Sequence, residues 1–190
     1  MTTPRLTRCY LAVPAHRTPL VQKAAASAAD AVFMDLEDAV PLAEKTAALA
    51  AAADALTTLD WGRKTVSVRL NAIDSPSIQE IETLGGLKRI NAFIVPKAET
   101  VSDVAKISQW ITAAAGQRDA PVEMELLIET ARGLVNVEML AAMGGLVTAA
   151  ASGCRRFRGI RSARAAPKSC FAFRLSACRQ RSRRLSGGPA

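Results

Sequence analysis

The chain has 190 residues, 49% of them apolar, with one Tyr, two Trp and five Phe. That is enough for one ordinary domain with a core of Ala, Leu, Val and Ile, and short of the roughly 250 residues of a closed eight-fold α/β barrel. No stretch is both long and apolar enough to span a bilayer, and the N-terminus, with Pro4, Arg5 and Arg8, lacks a hydrophobic signal core, so a cytoplasmic location without membrane attachment is expected. The net charge of +8 is unevenly placed. Up to Ala150 there are 14 Lys and Arg against 17 Asp and Glu, a balance of −3, whereas residues 151–190 hold 11 basic side chains and no acid. Cys154, Cys170 and Cys178 lie in that basic segment and only Cys9 lies elsewhere, which excludes a disulfide framework and fits no zinc pattern.

Tyr10 to Val13 is a short apolar run closed by Pro14. It is followed by Ala15-His16-Arg17 and a helical stretch through Ala29, a strand, loop and helix in turn. Arg17 and Lys23 lie six apart, one in the loop and one in the helix, where they can meet an anionic ligand at the mouth of the first strand. His16 is the only histidine, which excludes any mechanism that needs two. Residues 31–38, Ala-Val-Phe-Met-Asp-Leu-Glu-Asp, form an apolar run that ends in three acids, Asp35, Glu37 and Asp38. Such a run reads as a buried parallel strand, and acids at its carboxyl end sit where α/β enzymes bind ligands.

Pro41 suits a first helical turn, and the Ala-rich stretch Ala43 to Leu59 is helical. A turn at Asp60-Trp61-Gly62-Arg63-Lys64 precedes the alternating strand Thr65 to Asn71, with Arg69 near its carboxyl end, placed to fork onto a carboxylate. A loop to Pro76 and a weaker helix to Leu84 follow. Ala92 to Pro96 is a fourth strand ending at Lys97, and the helix from Thr100 to Ala115 carries an apolar stripe of Val101, Val104, Ile107 and Ile111. Glu123 to Ile128 is a fifth strand that leads into Glu129-Thr130-Ala131-Arg132-Gly133 and a helix to about Met143. Leu146 to Ala151 reads as a sixth strand. This alternation specifies a parallel sheet with right-handed crossovers. The Gly85-Gly86 and Gly144-Gly145 pairs lack the framing of a phosphate loop or dinucleotide fingerprint and read as turns. Carboxylates without paired histidines suggest a hard divalent cation such as Mg2+, with Glu129 and the Asp35, Glu37, Asp38 cluster in its first and second shells.

These motifs together resemble the HpcH/HpaI aldolase and citrate lyase beta-subunit family, in particular its malyl-CoA, citramalyl-CoA and citryl-CoA lyases. The likeness is carried by Leu11-Ala12-Val13-Pro14 with Arg17 and Lys23, Asp35-Leu36-Glu37-Asp38-Ala39-Val40, Asp60-Trp61-Gly62-Arg63-Lys64, Ser67-Val68-Arg69-Leu70-Asn71, Val95-Pro96-Lys97 and Ile128-Glu129-Thr130-Ala131-Arg132-Gly133. They recur in family order from residue 5 to about 150. The resemblance implies an α/β fold, here a partial (β/α)8 TIM barrel of five to six βα units, and assembly as a trimer or hexamer. The implied reaction is reversible cleavage of a 3-hydroxyacyl-CoA thioester into an acyl-CoA and a 2-oxo acid. Arg69 would hold the carboxylate and keto oxygens of the oxo acid, Glu129 would ligate Mg2+, and Arg17 and Lys23 match positions that bind coenzyme A. A free-acid aldolase of the same superfamily, which makes no use of coenzyme A, is the alternative within enzymes.

The likeness stops near residue 152. Where the family carries Gly-x-x-Asp-Phe, whose Asp is the second Mg2+ ligand, this chain has Gly153-Cys154-Arg155-Arg156-Phe157. Arg156 thus stands in the place of the acid, and a guanidinium repels a cation. Cys-Arg-Arg-Phe can be encoded TGC-CGA-AGA-TTT-C, which from its second base reads Ala-Glu-Asp-Phe. Residues 1–151 are therefore expected to be an incomplete barrel domain and 152–190 an irregular basic tail of out-of-frame origin. The competing expectation is a non-catalytic protein whose basic arm binds nucleic acid or a membrane surface; such charge binds polyanions whatever its origin.

Overall fold

The computed structural model describes residues 7–73, 77–151 and 172–174. Strands β1 (Tyr10–Pro14), β2 (Ala31–Asp35), β3 (Thr65–Arg69), β4 (Ala92–Val95), β5 (Glu123–Leu127) and β6 (Val147–Ala151) lie side by side in chain order. Every neighbouring pair among them is parallel. Helices α1 (Thr18–Ala26), α2 (Lys45–Thr58), α3 (Ser77–Leu84) and α4 (Val101–Ala115) make the first four crossovers, and the fifth carries two short helices, α5 (Ala131–Val135) and α6 (Val137–Ala142). Five βα units and a sixth strand in unbroken order are the first part of a (β/α) barrel, as the sequence leads one to expect. A short strand β7 (Ala172–Arg174), inside the segment expected to be irregular, pairs antiparallel with β6.

The two faces of the sheet differ in kind. Val13, Val32, Met34, Val66, Val68, Phe93, Val95, Met124 and Leu126 point toward the helices and are all buried. They meet Val21, Ala24, Ala48, Ala52, Ala55, Ile81, Leu84, Val104, Ile107 and Ile111 in one core. In α2 the inward residues Ala48, Ala52 and Ala55 recur at three- and four-residue spacing, and their small size lets the helix lie close on the strands. Trp61 seals the lower end of that helix. It is 1% exposed and its indole N–H donates to the Ala55 carbonyl at 2.9 Å; Gly62 then turns at φ +52°, a left-handed conformation that glycine takes without penalty.

The other face carries Tyr10, Phe33, Ser67, Arg69, Ile94 and Glu125, related by strand register. The Tyr10 ring stands edge-on to Phe33 with centroids 5.3 Å apart. Its hydroxyl donates to Glu125 Oε2 at 3.4 Å, although β2, β3 and β4 lie between their strands. A flat sheet would hold these residues more than 15 Å apart at roughly 4.8 Å per strand; the sheet is therefore curled with this face inward. Burial raises the Tyr10 hydroxyl well above the usual phenol range, and the Glu125 charge adds to the effect.

Candidate active site at the carboxyl rim of the strands

Parallel register sets Asp35 beside Arg69. The guanidinium forks onto the carboxylate, with Nε donating to Oδ1 at 2.8 Å and Nη2 to Oδ2. Asp35 is held from the other side by the backbone N–H of Glu37 at 2.8 Å and of Ala39 at 3.3 Å. The acid run after β2 thus folds back on its own first member. Glu37, 5% exposed, turns inward: its Oε2 lies 3.1 Å from Arg69 Nη1, outside hydrogen-bond geometry, and its Oε1 accepts from Lys97 Nζ. Asp38 is exposed and adds its charge to the field on Arg69. Burial works against the Arg69 cation, but the Asp35 hydrogen bonds and the charges of Asp35, Glu37 and Asp38 outweigh it, so the pKa is raised. The terminal N–H fork of the guanidinium, directed away from Asp35, makes no hydrogen bond among the described residues.

Lys97 follows β4 with φ +50°, the only non-glycine residue in the left-handed region among the described residues. That conformation costs about 1 kcal/mol. It aims the backbone N–H at Glu129 Oε1, 3.2 Å away, while the side chain reaches Glu37. Glu129, just after β5, is half-buried, and no donor approaches its other oxygen among the described residues. The loop that carries it is clamped to the loop after β4. The Thr130 hydroxyl caps α5 by accepting from the Gly133 N–H at 3.0 Å, Asn136 Nδ2 donates to the Glu99 carbonyl at 2.8 Å, and Gly133 lies so close to the Ala98 carbonyl that a side chain there would collide with it.

Two further supports sit behind the rim. Lys45, the first residue of α2, donates to the carbonyls of Leu36 and Glu37, each at 2.5 Å. Glu80, 3% exposed, accepts from the Asn71 backbone N–H at 2.9 Å and from its side-chain amide, which pins the chain two residues after Arg69. Burial raises the Glu80 pKa, against the pull of the Asn71 hydrogen bonds and the Lys45 charge.

The expected residues Arg69, Glu129, Asp35, Glu37 and Asp38 are thus brought to one rim, with Arg69 linked to Glu129 through Glu37 and Lys97. Asp35 and Glu37 are taken up by Arg69, Lys97 and backbone N–H groups, so they brace the guanidinium. Arg17 immediately precedes α1 and Lys23 lies in its last turn, both exposed and without a side-chain partner among the described residues. At about 1.5 Å of rise per residue they stand roughly 9 Å apart along the helix, so a ligand touching both must be extended. Lys45 and Glu80 were not named from sequence, and Lys97 was named there without a role in the site. Only Lys97 left a signal there, as a charge directly after an apolar strand. Arg156 lies outside the described residues, and among those described no three His, Cys, Asp or Glu side chains stand close enough to hold a metal together.

The sequence model of HpcH/HpaI aldolase/citrate lyase matches residues 8–154. The chain belongs to this family. It is 38% identical over 160 residues to an L-malyl-CoA/beta-methylmalyl-CoA lyase of Cereibacter sphaeroides, a match that covers 80% of this chain and 50% of that protein. Among solved structures it is similar to the Mycobacterium tuberculosis citrate lyase beta subunit complexed with oxaloacetate and magnesium (36% identity, TM-score 0.55, 70% of this chain and 52% of that one). It is also similar to protein CitE of M. tuberculosis in complex with magnesium, acetoacetate and coenzyme A (34% identity, TM-score 0.60, 77% of this chain and 49% of that one). Its relatives include malyl-CoA lyases and a citrate lyase beta subunit, and homologous structures hold magnesium. The chain spans about half the length of the curated relatives it matches. Among the described residues no helix is long and apolar enough to cross a membrane.

Proposed function

We propose that this chain carries the substrate rim of a magnesium-dependent carbon–carbon lyase acting on a 3-hydroxyacyl-CoA thioester of the malyl-, citramalyl- or citryl-CoA type. The observation that carries the reading is the continuous path of contacts from Arg69 through Glu37 and Lys97 to Glu129 along the carboxyl ends of parallel strands. Arg69 is the substrate-binding group. Asp35 holds it in a fixed plane, and its terminal fork matches the carboxylate and keto oxygens of a 2-oxo acid. Glu129 is the acid that fits Mg2+, since it offers a hard oxygen with no competing donor and the ion needs only one or two carboxylates beside water and substrate. Bound there, the cation would supply Lewis-acid polarisation of the oxygen that becomes the keto group. Arg69 balances the negative charge of the oxo acid as the carbon–carbon bond breaks toward the thioester enolate. Arg17 and Lys23, spread along α1, suit the phosphates of an extended coenzyme A.

The chain is to be incubated with each thioester, with and without Mg2+, and the released 2-oxo acid measured. Release that requires Mg2+ and falls about a hundredfold or more in Glu129→Gln is the expected result. Weaker thioester binding in Arg17→Ala separates the acyl-CoA reading from a free-acid aldolase. Absence of turnover with every thioester, together with absence of Mg2+-dependent oxo-acid binding, sinks the proposal. We further infer an out-of-frame origin for residues 152–190, supported by the end of the family match at residue 154 and by the purely basic composition beyond Ala150. An uninterrupted gene with no Gly-x-x-Asp-Phe coding in either alternative frame ends that idea.

A further inference from the structure

The geometry points to Lys97 as a positioning residue that sets Glu129 and, through Glu37, keeps the terminal fork of Arg69 open for substrate. The inference rests on the reading of Arg69 and Glu129 given above. Its basis is that one residue serves both halves of the rim by two different groups. The backbone N–H of Lys97 donates to Glu129 Oε1 at 3.2 Å, so one oxygen of that carboxylate is fixed and the other is left outward. The ammonium group takes Glu37 Oε1. Glu37 is 5% exposed and its second oxygen lies only 3.1 Å from Arg69 Nη1. Without the ammonium, a buried carboxylate would have Arg69 as its nearest cation and would draw it into a direct hydrogen bond, since a buried charge must be paired. Lys97 therefore frees the arginine by neutralising its competitor.

The local backbone supports the same conclusion. A lysine at φ +50° is strained where glycine would not be, and strained residues persist where their surroundings hold them. Here the surroundings are visible. The Ala98 N–H donates to the Leu127 carbonyl at 3.1 Å, and Gly133 and Asn136 clamp the following loop. The turn is thus fixed by its neighbours, and its position relative to Glu129 does not depend on the lysine side chain. This separates the two roles: substitution of the side chain reaches Glu37 and Arg69, while truncation of Glu129 removes the acceptor of the backbone N–H.

The probe is oxalate, a planar mimic of the carboxylate and keto oxygens of a 2-oxo acid, titrated calorimetrically into the full chain with and without Mg2+. Lys97→Met is expected to weaken Mg2+-dependent binding about tenfold or more, the scale of one charge-assisted hydrogen bond lost when Glu37 takes the terminal fork of Arg69. Lys97→Arg, which keeps the charge, is expected to stay within about threefold of the wild type. In parallel, hydrogen exchange at the Lys97 amide is slow in the wild type and accelerates in Glu129→Ala. Oxalate affinity unchanged in Lys97→Met overturns the proposal. If the wild type takes up no oxalate with Mg2+, the lyase reading fails on its own, and the amide decides the remaining question: acceleration in Glu129→Ala keeps Lys97 as the residue that sets Glu129, and no change removes it.

Discussion

Arginines stand at both ends of this sheet, and they are used differently. At the base, Arg118 donates to the carbonyls of Gly85, Leu87, Lys88 and Ile90, and Arg89 donates to those of Gly62 and Lys64 and to Asn91 Oδ1. These guanidiniums stitch the αβ loops together through backbone carbonyls. Burial lowers the Arg118 pKa, as expected of a cation among neutral dipoles. At the rim, Arg69 forks onto Asp35 along one edge and has Glu37 3.1 Å from Nη1, its pKa is raised, and its terminal fork makes no hydrogen bond among the described residues. A carbonyl-bound arginine closes a loop; a carboxylate-bound arginine with a spare fork is ready for a third party.

Removing the arginines tests this contrast most severely. Arg69→Ala leaves Asp35 buried without its cation and is expected to cost about 3–5 kcal/mol in urea unfolding, whereas Arg69→Lys retains much of the stability but loses oxalate binding because the planar fork is gone. A loss below about 1 kcal/mol for the alanine variant would mean that the buried pair is not held as described. Arg118→Ala is expected to cost less, about 2–3 kcal/mol, through carbonyls left without their charged donor, and to leave oxalate affinity of the folded protein unchanged. Should it weaken oxalate binding as strongly as Arg69→Lys does, the separation of base and rim breaks down.

The smallest effects are in pH. Rim and base each hold a shifted carboxyl group, with opposite signs. Glu80 is raised by burial, so the folded state holds its proton more tightly than the unfolded chain. Its contribution is complete below the usual carboxylate pKa and is lost as pH rises through the folded value. Asp30, at the base, is held well below the usual range, first by the Arg8 side chain and then by the backbone N–H groups of Arg8 and Cys9. Its contribution is present above the usual range and is lost as pH falls. Glu80→Gln should therefore flatten the loss of stability on the alkaline side of about pH 4.3, and Asp30→Asn the loss on the acid side of about pH 3.9, the unshifted values. Denaturant midpoints measured across pH in the two variants check both signs at once.

Much of this architecture was legible in the chain. Apolar strands that end in charge, repeated about every thirty residues, announce a parallel sheet with its working edge at one end, and Asp35, Arg69 and Glu129 were found by that rule. What escaped depends on contacts between units distant in sequence. The left-handed turn at Lys97 has no glycine to mark it. The helical stretch after Glu129 reads as one element, yet it divides at Asn136, whose side chain bonds to the Glu99 carbonyl. Glu80 looks like any surface acid on an amphipathic helix until the loop after Arg69 is folded over it.

The contact between Tyr10 and Glu125 has a consequence for biosynthesis. The side chains that set the curvature all lie within the first 125 residues. Because domains consolidate from the N-terminus during synthesis, a nascent chain can bend its sheet and assemble Arg69, Glu37, Lys97 and Glu129 from its first five strands alone, before any later strand offers an edge to pair with.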